Sequence, residues 1–141
     1  MSMRPPTTKP FLGYAAASRV ADAARSVAEA ESVAVAICVV DDAGNVVRFD
    51  RLDNCLGIAS RAAKGKARTA VEMRVSTEQV EHLAQQMPTL IAIPGIFPFR
   101  GGVPLFDGVE VVGAIGVSGG SPEQDAHIAD VGAQALLPSP E

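Results

Sequence analysis

The stretch VAVAICVVDDAGNVVRFDR, residues Val33–Arg51, decides the fold. Val33 to Val40 is apolar at both alternating positions and rich in Val and Ile, the reading of a strand covered on both faces. Asp41-Asp42-Ala43-Gly44-Asn45 is turn chemistry, with Gly44 free to take a positive φ. Val46 to Arg51 then returns as a second strand, which makes a hairpin.

Outward from the hairpin, the apolar residues Leu12, Ala16, Val20, Ala23, Val27 and Ala30 recur at helical spacing and predict an amphipathic helix over 12–31. On the other side, Asp53 or Asn54 is expected to cap a second helix running to about Met73. Thr77 starts a third helix, with Val80, Leu83, Ala84 and Met87 as its apolar stripe. Prolines and glycines break the chain from Pro88 to Pro104, and short strands are possible at 89–93 and 102–106. Asp107-Gly108 signals a second hairpin, followed by a strand from Val109 to Val117. Ser121-Pro122-Glu123-Gln124 combines an N-cap serine, proline at the first helical position and glutamine at the third, a capping box for a last helix ending near Leu137. Helix, hairpin, helices, hairpin, helix describes a single α/β (α+β) domain over residues 1–141 with an antiparallel sheet, residues 1–9 being a flexible arm.

The composition narrows the function classes. At 141 residues the chain can fill one core. It is 48% hydrophobic but only 4% aromatic, without Trp, so the core is built from small aliphatic side chains that let helices approach the sheet closely. A net charge of −4 argues against nucleic acid, which needs a clustered cationic face. Mean hydropathy of +0.21 argues against disorder. The start has no apolar secretory core, and no run approaches the ~18 apolar residues of a membrane span, so a soluble cytoplasmic protein is the expectation. Cys38 and Cys55 make neither a disulfide framework nor a zinc site, and Cys38 reads as a core residue.

His82 and His127 sit where ordinary patterning places solvated helix residues, and with no cysteine pair nearby they leave no closed metal site. No nucleophile elbow or Walker loop is present, and Gly113–Gly120 lacks the opening of a dinucleotide fingerprint. The backbone N–H groups opening the last helix, beside Ser118, Gly119 and Ser121, read either as an anion site or as a tight turn with a helix cap. One position is anomalous. In the second helix Arg61, Lys64, Arg68 and Glu72 mark the solvent face and Ala59, Ala63, Ala70 and Met73 the opposite one, yet Lys66 falls on the apolar stripe. An ammonium there must snorkel, pair or face a cavity. Asp125, in the first turn of the last helix, sits where the helix dipole favours a carboxylate.

Taken in order, Val39-Val40-Asp41-Asp42-Ala43-Gly44, Arg51-Leu52-Asp53, Lys66-Ala67-Arg68-Thr69-Ala70, Gly101-Gly102-Val103-Pro104-Leu105 and Ile115-Gly116-Val117-Ser118-Gly119-Gly120 through Gln124-Asp125 resemble the GlcG/HbpS-like family. Its members are often labelled haem-degrading domains, and one forms the C-terminal domain of PduO-type cobalamin adenosyltransferases. The resemblance runs from Tyr14 to Leu137 and includes Lys66 and Asp125 as pattern positions. It implies a profilin-like fold with a five-stranded antiparallel sheet between helical layers, and homo-oligomers from dimers to octamers with pockets near subunit contacts. It also implies haem as a cofactor in its best described members, while many others stand in catabolic operons. Two positions depart from the pattern. Arg100 replaces a glycine often found before Gly101-Gly102, adding a cation beside that loop, and the first helix has Tyr14 but no histidine. Haem binding is then expected to be weak or to use an unusual iron ligand such as Tyr14 or His82.

Three readings follow. The first is a protein that binds haem or another planar, anionic small molecule. The second is a metal-independent isomerase, tautomerase or hydratase acting on a small organic acid, with Lys66 and Asp125 moving protons and Arg51 or Arg100 holding the carboxylate; Gly101, Gly102, Ser118 and Gly119 complete the ligand site. The third is a non-catalytic accessory or assembly module. A homo-oligomer is expected in each case, because the Ile91–Phe97 stretch adds apolar surface that one copy leaves uncovered.

Overall fold

The computed structural model describes residues 7–137. Its elements are helix α1 (Tyr14–Ala30), strands β1 (Ala36–Asp41) and β2 (Val46–Arg51), helices α2 (Gly57–Met73) and α3 (Thr77–Gln86), a 3-10 turn (Pro88–Ala92), strands β3 (Gly102–Asp107) and β4 (Glu110–Ser118), and helix α4 (Pro122–Gln134). The strands form one antiparallel sheet in the order β2-β1-β4-β3. No helix among the described residues is long and apolar enough to cross a membrane.

Strand β1 is covered on both faces, as its unbroken apolar run predicts. Ile37 and Val39 join Ile115 and Val117 of β4 in the larger core, under α1 and α4. Ala36, Cys38 and Val40 face the other way, against Ala59, Ala63, Ala67 and Ala70 of α2. Burial pushes the Cys38 thiol up to about 11, which makes this cysteine a packing residue and not a nucleophile.

The two helical layers use different packing chemistry. On the α2 side backbone meets backbone. A Cβ at Gly116 would overlap the Ala63 carbonyl oxygen and lie 2.6 Å from the Ala67 nitrogen. A Cβ at Gly102 would lie 2.5 Å from the Lys66 carbonyl oxygen and 2.6 Å from Thr77 Cγ2. Glycines on β3 and β4 thus set how closely α2 lies on the sheet.

Both hairpins form. Asp41 Oδ1 accepts from the Ala43 and Asn45 N–H groups at 3.0 and 2.9 Å, and Gly44 takes φ +84°. The second hairpin turns at Gly108-Val109 with Gly108 at φ +63°. The capping box of α4 is present, Ser121 Oγ accepting from Gln124 N–H at 3.1 Å and Gln124 Oε1 from Ser121 N–H at 2.9 Å.

Four expectations need correction. The sheet has four strands among the described residues where the resemblance implied five. The segment 89–93 is largely the 3-10 turn, because Pro88 opens a helical turn and only Leu90 finds cover. Asp53 and Asn54 do not cap α2. They make a turn with Asn54 at φ +69°, and α2 starts after Leu56. Helix α4 stops at Gln134, short of Leu137. Of the expected arm, residues 1–6 lie outside the described residues, and Lys9 pairs with Asp42 at 2.6 Å.

The sheet edges differ. At β3, Gly102 donates its N–H to Thr77 Oγ1 of α3 at 2.7 Å, Pro104 has no N–H, and the register shifts between Leu105 and Phe106. At β2, Arg48 binds Asp50 and reaches α1 at Asp22, while Val46 and Phe49 stay partly exposed.

Gly116→Ala should force α2 off β4 and destabilise the fold by about 3 kcal/mol, the upper end of overpacking costs. Thermal melting of the variant against Gly116→Ala/Ala63→Gly checks this. The second glycine leaves the Ala63 carbonyl in place, so it should rescue little.

Candidate functional site

The sheet register gathers most of the candidate residues at one end of the sheet. Ser118 ends β4 opposite Ala36, and Ala36 stands opposite Arg51 at the end of β2. Gly102 opens β3 opposite Gly116. The loops beyond this end are Arg100-Gly101 and Gly119-Gly120, and α4 starts from the second of them.

Lys66 neither snorkels nor lines an open cleft. It is the buried end of an ion pair. Its Nζ donates to the Val117 carbonyl at 3.0 Å and to Asp125 Oδ2 at 3.2 Å, and the two side chains are 6% and 5% exposed. Asp125 Oδ1 accepts from Gly120 N–H at 2.9 Å. The pair joins α2 on one face of the sheet to α4 on the other, across the end of β4. Gly101 closes it over. At φ +123°, a Cβ there would lie 3.0 Å from Lys66 Nζ, 3.1 Å from Asp125 Cβ, and overlap the Val117 carbonyl oxygen. Only glycine holds this backbone against the pair.

Burial pushes the Lys66 ammonium below its ordinary value, with Asp125 and then Glu81 opposing. Burial likewise pushes Asp125 above the usual carboxylate range, against Lys66 and the Gly120 and Gly119 N–H groups. Burial thus drives the two groups toward one another in proton affinity.

Arg100 is already occupied. Its Nε lies 3.0 Å from Glu81 Oε2 and 3.7 Å from Glu78 Oε1, and its terminal nitrogen 3.4 Å from Glu123 Oε1. These carboxylates come from α3 and α4, so Arg100 fastens both helices to the loop before β3. A ligand carboxylate would compete with three glutamates. The N–H groups at the start of α4 are also spoken for, Gly120 by Asp125 and Ser121 by Gln124, as a turn and a cap. Arg51 is exposed at the end of β2. His82 and His127 are exposed on their helices, His127 lying 3.5 Å from Glu31.

The family model described as haem degrading protein HbpS-like matches residues 12–134. Protein GlcG of Escherichia coli is 34% identical over 112 residues, covering 79% of this chain and 84% of that protein. Among solved structures, a double mutant of HbpS from Streptomyces reticuli is 32% identical with a TM-score of 0.89, over 97% of this chain and 96% of that one. A complex of PduOC with heme is 28% identical with a TM-score of 0.83, over 89% of this chain and 95% of that one.

Lys66→Met should cost about 3–5 kcal/mol by leaving Asp125 buried without its cation. The loss should also depend on pH. Without Lys66, the Asp125 pKa rises further in the folded state. A carboxyl that binds its proton more tightly folded than unfolded contributes stability at low pH, which is lost as pH rises through the folded-state value. Melting of Lys66→Met should therefore fall more steeply than wild type as pH rises above the ordinary carboxylate range, the direction set by the raised Asp125 pKa. Lys66→Met/Asp125→Leu should recover much of the loss.

Proposed function

The chain belongs to the HbpS-like family of haem degrading proteins, and from that membership we propose that it binds haem or another planar, anionic small molecule. The observation that carries this reading is the likeness to the heme complex of PduOC, at 28% identity over 89% of this chain. Tyr14, at the first position of α1, is 68% exposed, and Phe11, three residues before it in the chain, is 80% exposed. The exposed phenol would serve as the iron ligand and the exposed Phe11 ring as an apolar contact for the macrocycle. The exposed imidazole of His82 on α3 is the other candidate ligand. Bound haem would supply iron redox chemistry. The chain's own residues would supply the ligand and the apolar contact.

The Lys66–Asp125 pair favours a second reading, metal-independent proton transfer on an organic acid. Lys66 and Asp125 would exchange protons with the substrate once the Arg100-Gly101 backbone moves aside, and Arg51, or Arg100 once released from its three glutamates, would hold its carboxylate. Under this reading Lys66→Arg, which keeps the charge, loses turnover while hemin binding is unaffected.

Both readings place the chain in a homo-oligomer. Leu83, Met87, Ile91, Ile93 and Phe99 leave apolar surface exposed on α3, the 3-10 turn and the segment after it. Light scattering at micromolar concentration should give a mass that is a multiple of 14.6 kDa. A clean monomer would remove the assembly claim.

A hemin titration followed in the Soret region should show a bound-state shift whose iron spectrum changes in Tyr14→Phe or in His82→Ala. No Soret change with hemin in excess would overturn the haem reading.

A further inference from the structure

The outer face of α2 is more than a solvated helix surface. Arg61, Lys64 and Arg68 lie on one stripe, spanning about 10 Å along the axis. The segment Pro94–Phe97 folds back over the same helix and forms a wall opposite them, leaving a groove of about 430 Å³. Two α2 residues seat that wall. Phe97 N–H donates to Thr69 Oγ1 at 3.0 Å, and the Phe97 ring rests where any side chain at Gly65 would overlap it. The floor is therefore glycine backbone, one side an aromatic ring, and the other side three cations with the single carboxylate of Glu72 beside Arg68.

These cations stand against a net charge of −4. Arg68 is placed by Gly44, whose Cβ would lie 3.4 Å from its Nε, and by Glu72 at 3.6 Å across an exposed, weak contact. Among the described residues, Arg61 and Lys64 form no ion pair. Arg61 and Arg68 stand two turns apart on the helix with Lys64 between them, a spacing that suits two separated anionic groups better than a single phosphate. A guanidinium at each end is the donor that holds a carboxylate in bidentate fashion.

We propose that this groove binds a flat dianion of the aromatic dicarboxylate class. One carboxylate lies at Arg61 and Lys64, the other at Arg68, and the ring of the ligand lies against Phe97 and Pro94-Gly95. The site is separate from the Lys66–Asp125 pair, because Lys66 points from the opposite side of α2, and it does not depend on haem binding.

Calorimetric titration of the full chain with terephthalate tests this. Terephthalate should bind more tightly than benzoate, which has one carboxylate, than succinate, which has no ring, and than neutral terephthalamide. Arg61→Gln/Lys64→Gln should weaken terephthalate binding about a hundredfold, tenfold for each cation removed. Arg74→Gln, an exposed cation beyond the end of α2, should leave it unchanged. Equal binding by the double variant, or succinate binding as tightly as terephthalate, overturns the proposal. So does a change in oligomeric mass in Arg61→Gln/Lys64→Gln, which would make the stripe a subunit contact. Hemin titration of the same variant reads the haem proposal separately.

Discussion

Helix α2 lies on β3 and β4 with almost nothing between the backbones, and much of the molecule follows from that contact. Gly102 and Gly116 have no side chains because the carbonyls of Lys66 and Ala63 occupy that space. The facing positions of α2 are alanines for the same reason. Close approach raises the dispersion contact along the whole helix and explains how a chain with only 4% aromatic residues can still fill its core. It also leaves no route for a long side chain on the inner face to reach water sideways. Lys66 is on that face, so its ammonium runs past the end of β4 and must meet a partner there.

Asp125 is that partner, and the pair acts as a pin between the two helical layers. Its energetics are not simply favourable. Desolvation opposes both charges, and a well-packed apolar pair of similar volume would fill the same space at no greater cost. What the charges supply is uniqueness of arrangement. Lys66 finds the Val117 carbonyl and Asp125 together only when α2, β4 and α4 are in one relative position, and Asp125 finds the Gly120 N–H only when the loop before α4 is closed. Arg100 repeats the logic at the surface, drawing α3 and α4 to the loop that covers the pair.

Period and local chemistry made the hairpins, the helices and the capping box legible in the sequence, because each is decided within a few residues. Lys66 was legible as an anomaly for the same reason, but its answer was not, since Asp125 is 59 residues further along the chain. Arg100 read as a free cation beside a glycine loop, when Glu78, Glu81 and Glu123 come to it from two other elements. Asn54 read as a cap because its side chain suits one, while its backbone suits the left-handed turn it adopts. Arg61, Lys64 and Arg68 lay on what the helical period marks as the solvent face, and only the return of Phe97 onto Gly65, 32 residues away in sequence, makes a groove there. The family resemblance captured the layers but one strand too many, because Pro88 and the lack of cover around Thr89–Ile93 favour a helical turn.

The asymmetry of the sheet edges has a further consequence. At β3 the positions from which another strand could be templated are spent on Thr77, removed by Pro104 or thrown out of step at Leu105 and Phe106. Strand β2 has no proline, and its charged residues Arg48 and Asp50 are tied toward α1. The sheet therefore has a finished margin and an unfinished one, and backbone-to-backbone growth has a direction. Two copies meeting at β2 would use up the unfinished margin of both and present only finished ones, so that mode of addition ends at a pair and cannot run on into a fibre.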